Sequence, residues 1–156
     1  MKKLLSAILF FSFLFVFFAC SEDDSPSETE NQSDVKGDWG VNMQQYSGNY
    51  LSEQLSVYLI VEETSGTLSG TGTVDYINNG TNSTHLNIEN SVAGYYQANQ
   101  SPNIVVTVGA QAGSTPPFTF SGDWDEFGVN FKGQVTIYSG NQIYTLTDQS
   151  LYKRNN

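Results

Sequence analysis

Two hydrophobic patterns divide the chain. From Leu4 to Ala19 it is apolar almost without a break, interrupted only by Ser6 and Ser12; further on, apolar and polar residues alternate instead. Alternation marks a half-buried strand, because successive side chains of extended backbone point to opposite faces. Leu55, Val57, Leu59 and Val61 alternate with Ser56, Tyr58, Ile60 and Glu62, and Phe118, Phe120, Gly122 and Trp124 repeat the period later. No window of this part carries a convincing 3.6-residue period.

Turn residues punctuate the alternation. Glu63-Thr64-Ser65-Gly66 ends the first clear strand, and a Gly- and Thr-rich strand follows from Thr67 to Tyr76. Asn78-Asn79-Gly80 is a turn signal, since Asn-Gly tolerates the positive φ of a tight turn. Weaker strands are expected at Thr84–Glu89 and Val92–Tyr96, and a strong one at Asn103–Gly109. Gly113 and the Pro116-Pro117 pair make 110–117 a loop. Asp125-Glu126-Phe127-Gly128 turns the chain into a long strand from Val129 to Tyr138, and Ser139-Gly140-Asn141 turns it into Gln142–Thr147. With an opening segment around Trp39–Gln45 and a last piece carrying Leu151 and Tyr152, the reading is all-β, with about eight or nine antiparallel strands in a meander. Such a meander closes into an up-and-down barrel or, alternatively, folds as a β-sandwich.

The apolar run near the start has a different use. Lys2 and Lys3 precede it, giving the charged n-region and apolar h-region of an export signal. Its 16 residues would reach about 24 Å as a helix, short of a hydrocarbon core of about 30 Å. Phe17-Phe18-Ala19-Cys20 resembles the lipobox of bacterial lipoproteins, in which a small residue precedes the lipidated cysteine; Phe17 stands where Leu is usual. The resemblance implies cleavage after residue 19, a diacylglyceryl thioether on Cys20 and usually an acylated amine such as a palmitoyl group. Ser21-Glu22-Asp23-Asp24 then resembles the signal that carries Bacteroidota-type lipoproteins to the cell surface. The expected location is the outer membrane, lipid-anchored and exposed. Cys20 is the sole cysteine, so no intrachain disulfide is possible.

Charge narrows the partners. Removing residues 1–19 takes Lys2 and Lys3 away and leaves four basic against sixteen acidic residues, a net charge of −12. Such a surface repels nucleic acid and anionic headgroups. Six of the acids fall between Glu22 and Asp34, among Ser, Pro, Asn and Gln. Residues 20–35 therefore read as a lipidated acidic tether with too little apolar content to fold, and 36–156 as the folded domain.

Gly37-Asp38-Trp39 opens that domain and Lys153-Arg154 closes it. A Gly-x-Trp opening with a basic residue on the last strand resembles lipocalin- and avidin-like (calycin) barrels. The resemblance implies a Trp closing one barrel end with the Arg packed across its ring. Leu68-Ser69-Gly70-Thr71-Gly72 and Phe131-Lys132-Gly133 fit a small, tightly curved barrel.

Candidate chemistry is sparse. His85 is the only histidine and reads as an exposed strand residue, so a two-histidine metal site is excluded. There is no Gly-x-Ser-x-Gly elbow, phosphate loop or catalytic cysteine. A glycosidase needs only two carboxylates, but no pair stands out. Asp123, Asp125 and Glu126 crowd a turn without the twelve-residue calcium-loop pattern, which favours a solvated acidic turn over a metal site. Gly-Asp-Trp occurs at 37–39 and 122–124; an internal duplication would repeat the flanks as well, and these do not match, so two strands each placing a Trp toward the core is the simpler account. Tyr46, Tyr50, Tyr95 and Tyr96 suit either a barrel rim or a binding face. If the interior holds a ligand, Trp39, Trp124, Phe120 and Phe131 are its expected wall. The expectation is a non-catalytic, cofactor-free surface lipoprotein that binds a small apolar ligand; the alternative is a glycan- or protein-binding accessory.

Overall fold

A computed structural model of the chain describes residues 34–81 and 83–154; the signal peptide, Cys20 and nearly all of the tether read from the sequence lie outside them. Eight strands follow in chain order: β1 Gly37–Ser47, β2 Tyr50–Thr64, β3 Thr67–Asn78, β4 Thr84–Tyr96, β5 Ile104–Val108, β6 Phe118–Trp124, β7 Asn130–Ser139 and β8 Gln142–Lys153. Each pairs antiparallel with the next, and β8 returns to β1 to close an up-and-down barrel. There is no helix among the described residues. The sandwich alternative is not the one adopted.

Two boundaries differ from the sequence reading. The two weak strands at 84–89 and 92–96 are a single thirteen-residue strand, β4. The segment at 142–147 and the final piece are likewise one strand, β8. A bulge disguises the latter. Gly133 pairs with Gln149 and Val135 with Leu146, so Thr147 and Asp148 both face Gln134. Asp148 takes a φ of +56° there, which shifts the inward–outward alternation by one.

The inward positions are apolar and full. Val41, Leu55, Leu59, Leu68, Val74, Ile104, Val106, Phe118, Phe120, Val135 and Ile137 are all buried, and among the described residues no polar or charged residue is. At about 25 cal/mol per Å² of apolar surface, this filling is the main force closing the sheet. Val35, read as the last tether residue, is buried with them, and its carbonyl accepts from Trp39 Nε1 at 2.7 Å.

Close approach of strands depends on glycine. A Cβ on Gly70 would lie 1.9 Å from the Ile60 carbonyl oxygen, and φ there is +144°. At Gly133 a Cβ would meet the Ser121 carbonyl at 2.0 Å. No larger residue fits either place without moving the neighbouring strand.

The antiparallel order puts both the start of β1 and the end of β8 at one end of the barrel, here called the terminal end. The turns joining β1 to β2, β3 to β4, β5 to β6 and β7 to β8 crowd the far end. Closure is uneven. β1 and β8 share two residue pairs, Trp39–Lys153 and Gly40–Tyr152. β4 and β5 pair only over Val92–Tyr96. Toward the far end, β1 beyond Val41 and β4 from His85 to Asn90 therefore each have one edge that no other strand pairs among the described residues.

Candidate functional site

Three places were candidates for chemistry: the terminal end, the far end and the outer wall. Of the four expected wall residues, three meet at the terminal end. Trp124 stacks on Phe131 with ring centroids 3.8 Å apart, and Trp39 lies 5.3 Å from Phe131 and 6.2 Å from Trp124. Tyr96 completes the group, its ring 6.2 Å from Trp124 and its hydroxyl accepting from Trp124 Nε1 at 3.1 Å. Trp39 and Phe131 are fully enclosed, and Phe120 is buried further along the inner face of β6. These rings fill the end of the barrel with one another. Lys153 Nζ sits 5.6 Å from the Trp39 ring centroid and donates to the Asp34 carbonyl, while Arg154 lies 4.9 Å over Tyr58. The side chain across the Trp ring is thus a lysine and not the arginine that the resemblance implies, because Arg154 is taken up by Tyr58.

At the far end β2, β3, β4 and β8 bring together polar groups that are remote in sequence. Tyr76 donates to Glu53 Oε1 at 2.5 Å, and Asn78 Nδ2 reaches the same oxygen at 3.3 Å. Thr84 Oγ1 meets the Tyr144 hydroxyl at 2.8 Å across the barrel, and Tyr144 also donates to Gln142 Oε1. The Tyr76 and Tyr144 rings are 5.1 Å apart. Burial, then the hydrogen bond to Glu53, pushes the Tyr76 phenol well above its ordinary range. Beneath lie the partly buried Met43, Leu86 and Ile88, packed on the core.

The outer wall over β6, β7 and β8 carries a groove of about 500 Å³. Its walls are cross-strand pairs: Thr119 beside Thr136, Ser121 beside Gln134, and Asp123 beside Lys132. The bulged Thr147 and Asp148 close one side, and Ser101 and Pro102 another. Asp123 is already engaged, accepting from Ser101 Oγ and from the Asn103 amide at 2.8 Å each. The groove offers hydroxyls, an amide, one ammonium and two carboxylates around an open trough. Such groups can hydrogen-bond a polyhydroxylated ligand. Sequence reading passed over them, although the outward residues of β6 and β7 run Thr, Ser, Asp and Lys, Gln, Thr rather than plain charge.

The remaining candidates have structural partners. His85 is exposed, its Nε2 2.9 Å from Asp75 Oδ1. Asp125 ties the β6–β7 turn by accepting from the amides of Phe127 (3.2 Å) and Val129 (3.0 Å) and from Asn130 Nδ2 (3.1 Å). Those bonds, led by the one from Val129, hold its carboxyl below the usual range. Among the described residues no three His, Cys, Asp or Glu side chains come together as a metal site. The two Gly-Asp-Trp triplets lie at the same barrel end, one where β1 begins and the other where β6 ends. Their strands run in opposite senses, as two independent core-facing tryptophans allow and a copied unit does not. Tyr46 and Tyr50 are exposed at the β1–β2 hairpin, Tyr95 faces outward, and Tyr96 belongs to the terminal plug.

The fold and these sites define an eight-stranded, antiparallel, closed up-and-down barrel compatible with calycin-like architecture. No family model, no curated protein and no solved structure matches the chain.

Proposed function

We propose that this protein is a non-catalytic binding lipoprotein, anchored through Cys20 in the outer membrane and facing outward, whose outer-wall groove takes a glycan. The lipobox-like Phe17-Phe18-Ala19-Cys20 and the acidic run after it support the anchoring. The described part of the chain enters the barrel at the terminal end. One observation carries the choice of ligand. Side chains occupy the barrel interior, whereas the trough over β6–β8 is open and lined by hydroxyl and amide groups. A second reading, a small apolar ligand, draws on Met43, Leu86 and Ile88, which are apolar and half-exposed where β4 lacks a neighbour.

The test is an amide chemical-shift titration with two probes, xylohexaose and lauric acid. Shifts at Ser121, Lys132, Gln134 and Thr136 with the sugar are expected, and Gln134→Ala should weaken binding by about tenfold, the worth of one or two hydrogen bonds. Laurate shifts at Leu86 and Ile88, with a silent groove, would replace the glycan reading by the apolar one. For the anchor, Cys20→Ala should abolish lipid labelling and leave unprocessed precursor; normal processing would refute it.

A further inference from the structure

In an antiparallel ladder the N–H and C=O of one residue point to the same side, and alternate residues point to opposite sides. On β4 the sense is fixed by its bonds. The Ser91 carbonyl accepts from Gly109 N at 3.1 Å and the Ala93 carbonyl from Thr107 Oγ1 at 3.0 Å, both on the β5 side. The register with β3 is unbroken from Tyr95 back to Thr84. His85, Asn87 and Glu89 therefore aim their backbone groups at the edge that β5 does not reach. Among the described residues, nothing pairs with those groups. No proline or bulge blunts this edge, and an edge left so is a template for another strand.

We propose that this edge pairs with the same edge of a second copy of the chain, antiparallel about a dyad through Asn87. The occupant follows from the sequence of the edge itself. Placing Asn87 opposite its counterpart puts His85 against Glu89 of the second copy, and Glu89 against His85, so all three edge-facing residues find edge-facing partners and about six backbone hydrogen bonds form. Every other register in which these groups face one another leaves at least one unpaired. On the outer face it sets an imidazole beside a carboxylate twice. On the inner face it sets Leu86 beside Ile88 of the second copy, also twice, and covers apolar surface that is now half-exposed. The register richest in hydrogen bonds is thus also complementary in charge and in hydrophobicity, as a two-fold contact requires. The dyad points the two terminal ends in opposite directions. The pairing does not rest on the anchoring proposed above.

The full chain, purified in detergent, tests it by cross-linking. Asn87→Cys places two thiols across the dyad with Cα atoms about 5.5 Å apart, within disulfide range. Oxidation should give a covalent dimer well above the level shown by the wild type, whose one cysteine is Cys20, and by Asn42→Cys, a control on the unpaired edge of β1. Adding Glu89→Lys to Asn87→Cys should lower dimer yield by about tenfold, since each carboxylate that faces an imidazole across the dyad is replaced by an ammonium. Adding His85→Glu as well should restore it. Cross-linking of Asn87→Cys no greater than that of Asn42→Cys, or failure of the double charge swap to recover it, would overturn the proposal.

Discussion

Tyr76 is wholly buried by its neighbours, yet its hydroxyl reaches the Glu53 carboxylate and its ring meets Tyr144. One side chain thus joins the apolar core to the polar rim. A hydrogen bond to a charged group contributes roughly 2 kcal/mol, so Tyr76→Phe should lower the unfolding free energy by about that much at neutral pH. The sign of the pH dependence follows from the raised phenol. Its stabilisation is intact below the unfolded tyrosine value of about 10 and is lost as pH rises beyond it. Denaturant midpoints followed from neutral to alkaline pH should fall for the wild type, and the decline should flatten in Tyr76→Phe. Asp125 behaves in the opposite sense. Its lowered pKa adds stability that is present above the ordinary carboxylate range and lost on acidification, and Asp125→Ala should remove that acid-sensitive part.

Strands impose constraints that no residue carries alone. β6 and β7 approach so closely at Gly122 and Gly133 that a Cβ at Gly133 would meet the Ser121 carbonyl at 2.0 Å. Gly133→Ala should therefore cost about 2–3 kcal/mol by overpacking, read as a shift in thermal or urea midpoint. A glycine in a strand signalled curvature in the sequence, but which strand would press on it was not readable there. The bulge at Thr147–Asp148 is the other case. A one-residue slip in alternation made one strand look like two segments, because period-2 reasoning stops where the period breaks.

In the whole molecule, closure is the weak point. Two residue pairs join β1 to β8, whereas β2 and β3 share an unbroken register from Glu53–Asn78 to Thr64–Thr67. Native-state hydrogen exchange should release the amides at the β1–β8 closure first. The β2–β3 ladder should exchange only with global unfolding. Lys153 over Trp39 braces the β1–β8 closure, and Lys153→Ala should lose about 1 kcal/mol in the same measurement.

Alternation and turn chemistry act over a few residues, so the all-β class, most turns and the inward faces are legible in the chain alone. It also marked Trp39, Trp124, Phe120 and Phe131 as interior. That three of them fill the terminal end against one another rather than line a space emerges in the folded barrel alone, since how much room is left depends on barrel curvature and on which strands oppose. The far-end network and the outer groove were likewise invisible in the chain. Glu53, Tyr76, Thr84 and Tyr144 come from four strands, and Thr119 meets Thr136 only through the β6–β7 register. The unpaired edge of β4 arises for the same reason. His85, Asn87 and Glu89 look ordinary, and it is the shortness of β5, five residues against thirteen, that leaves their edge without a paired strand among the described residues.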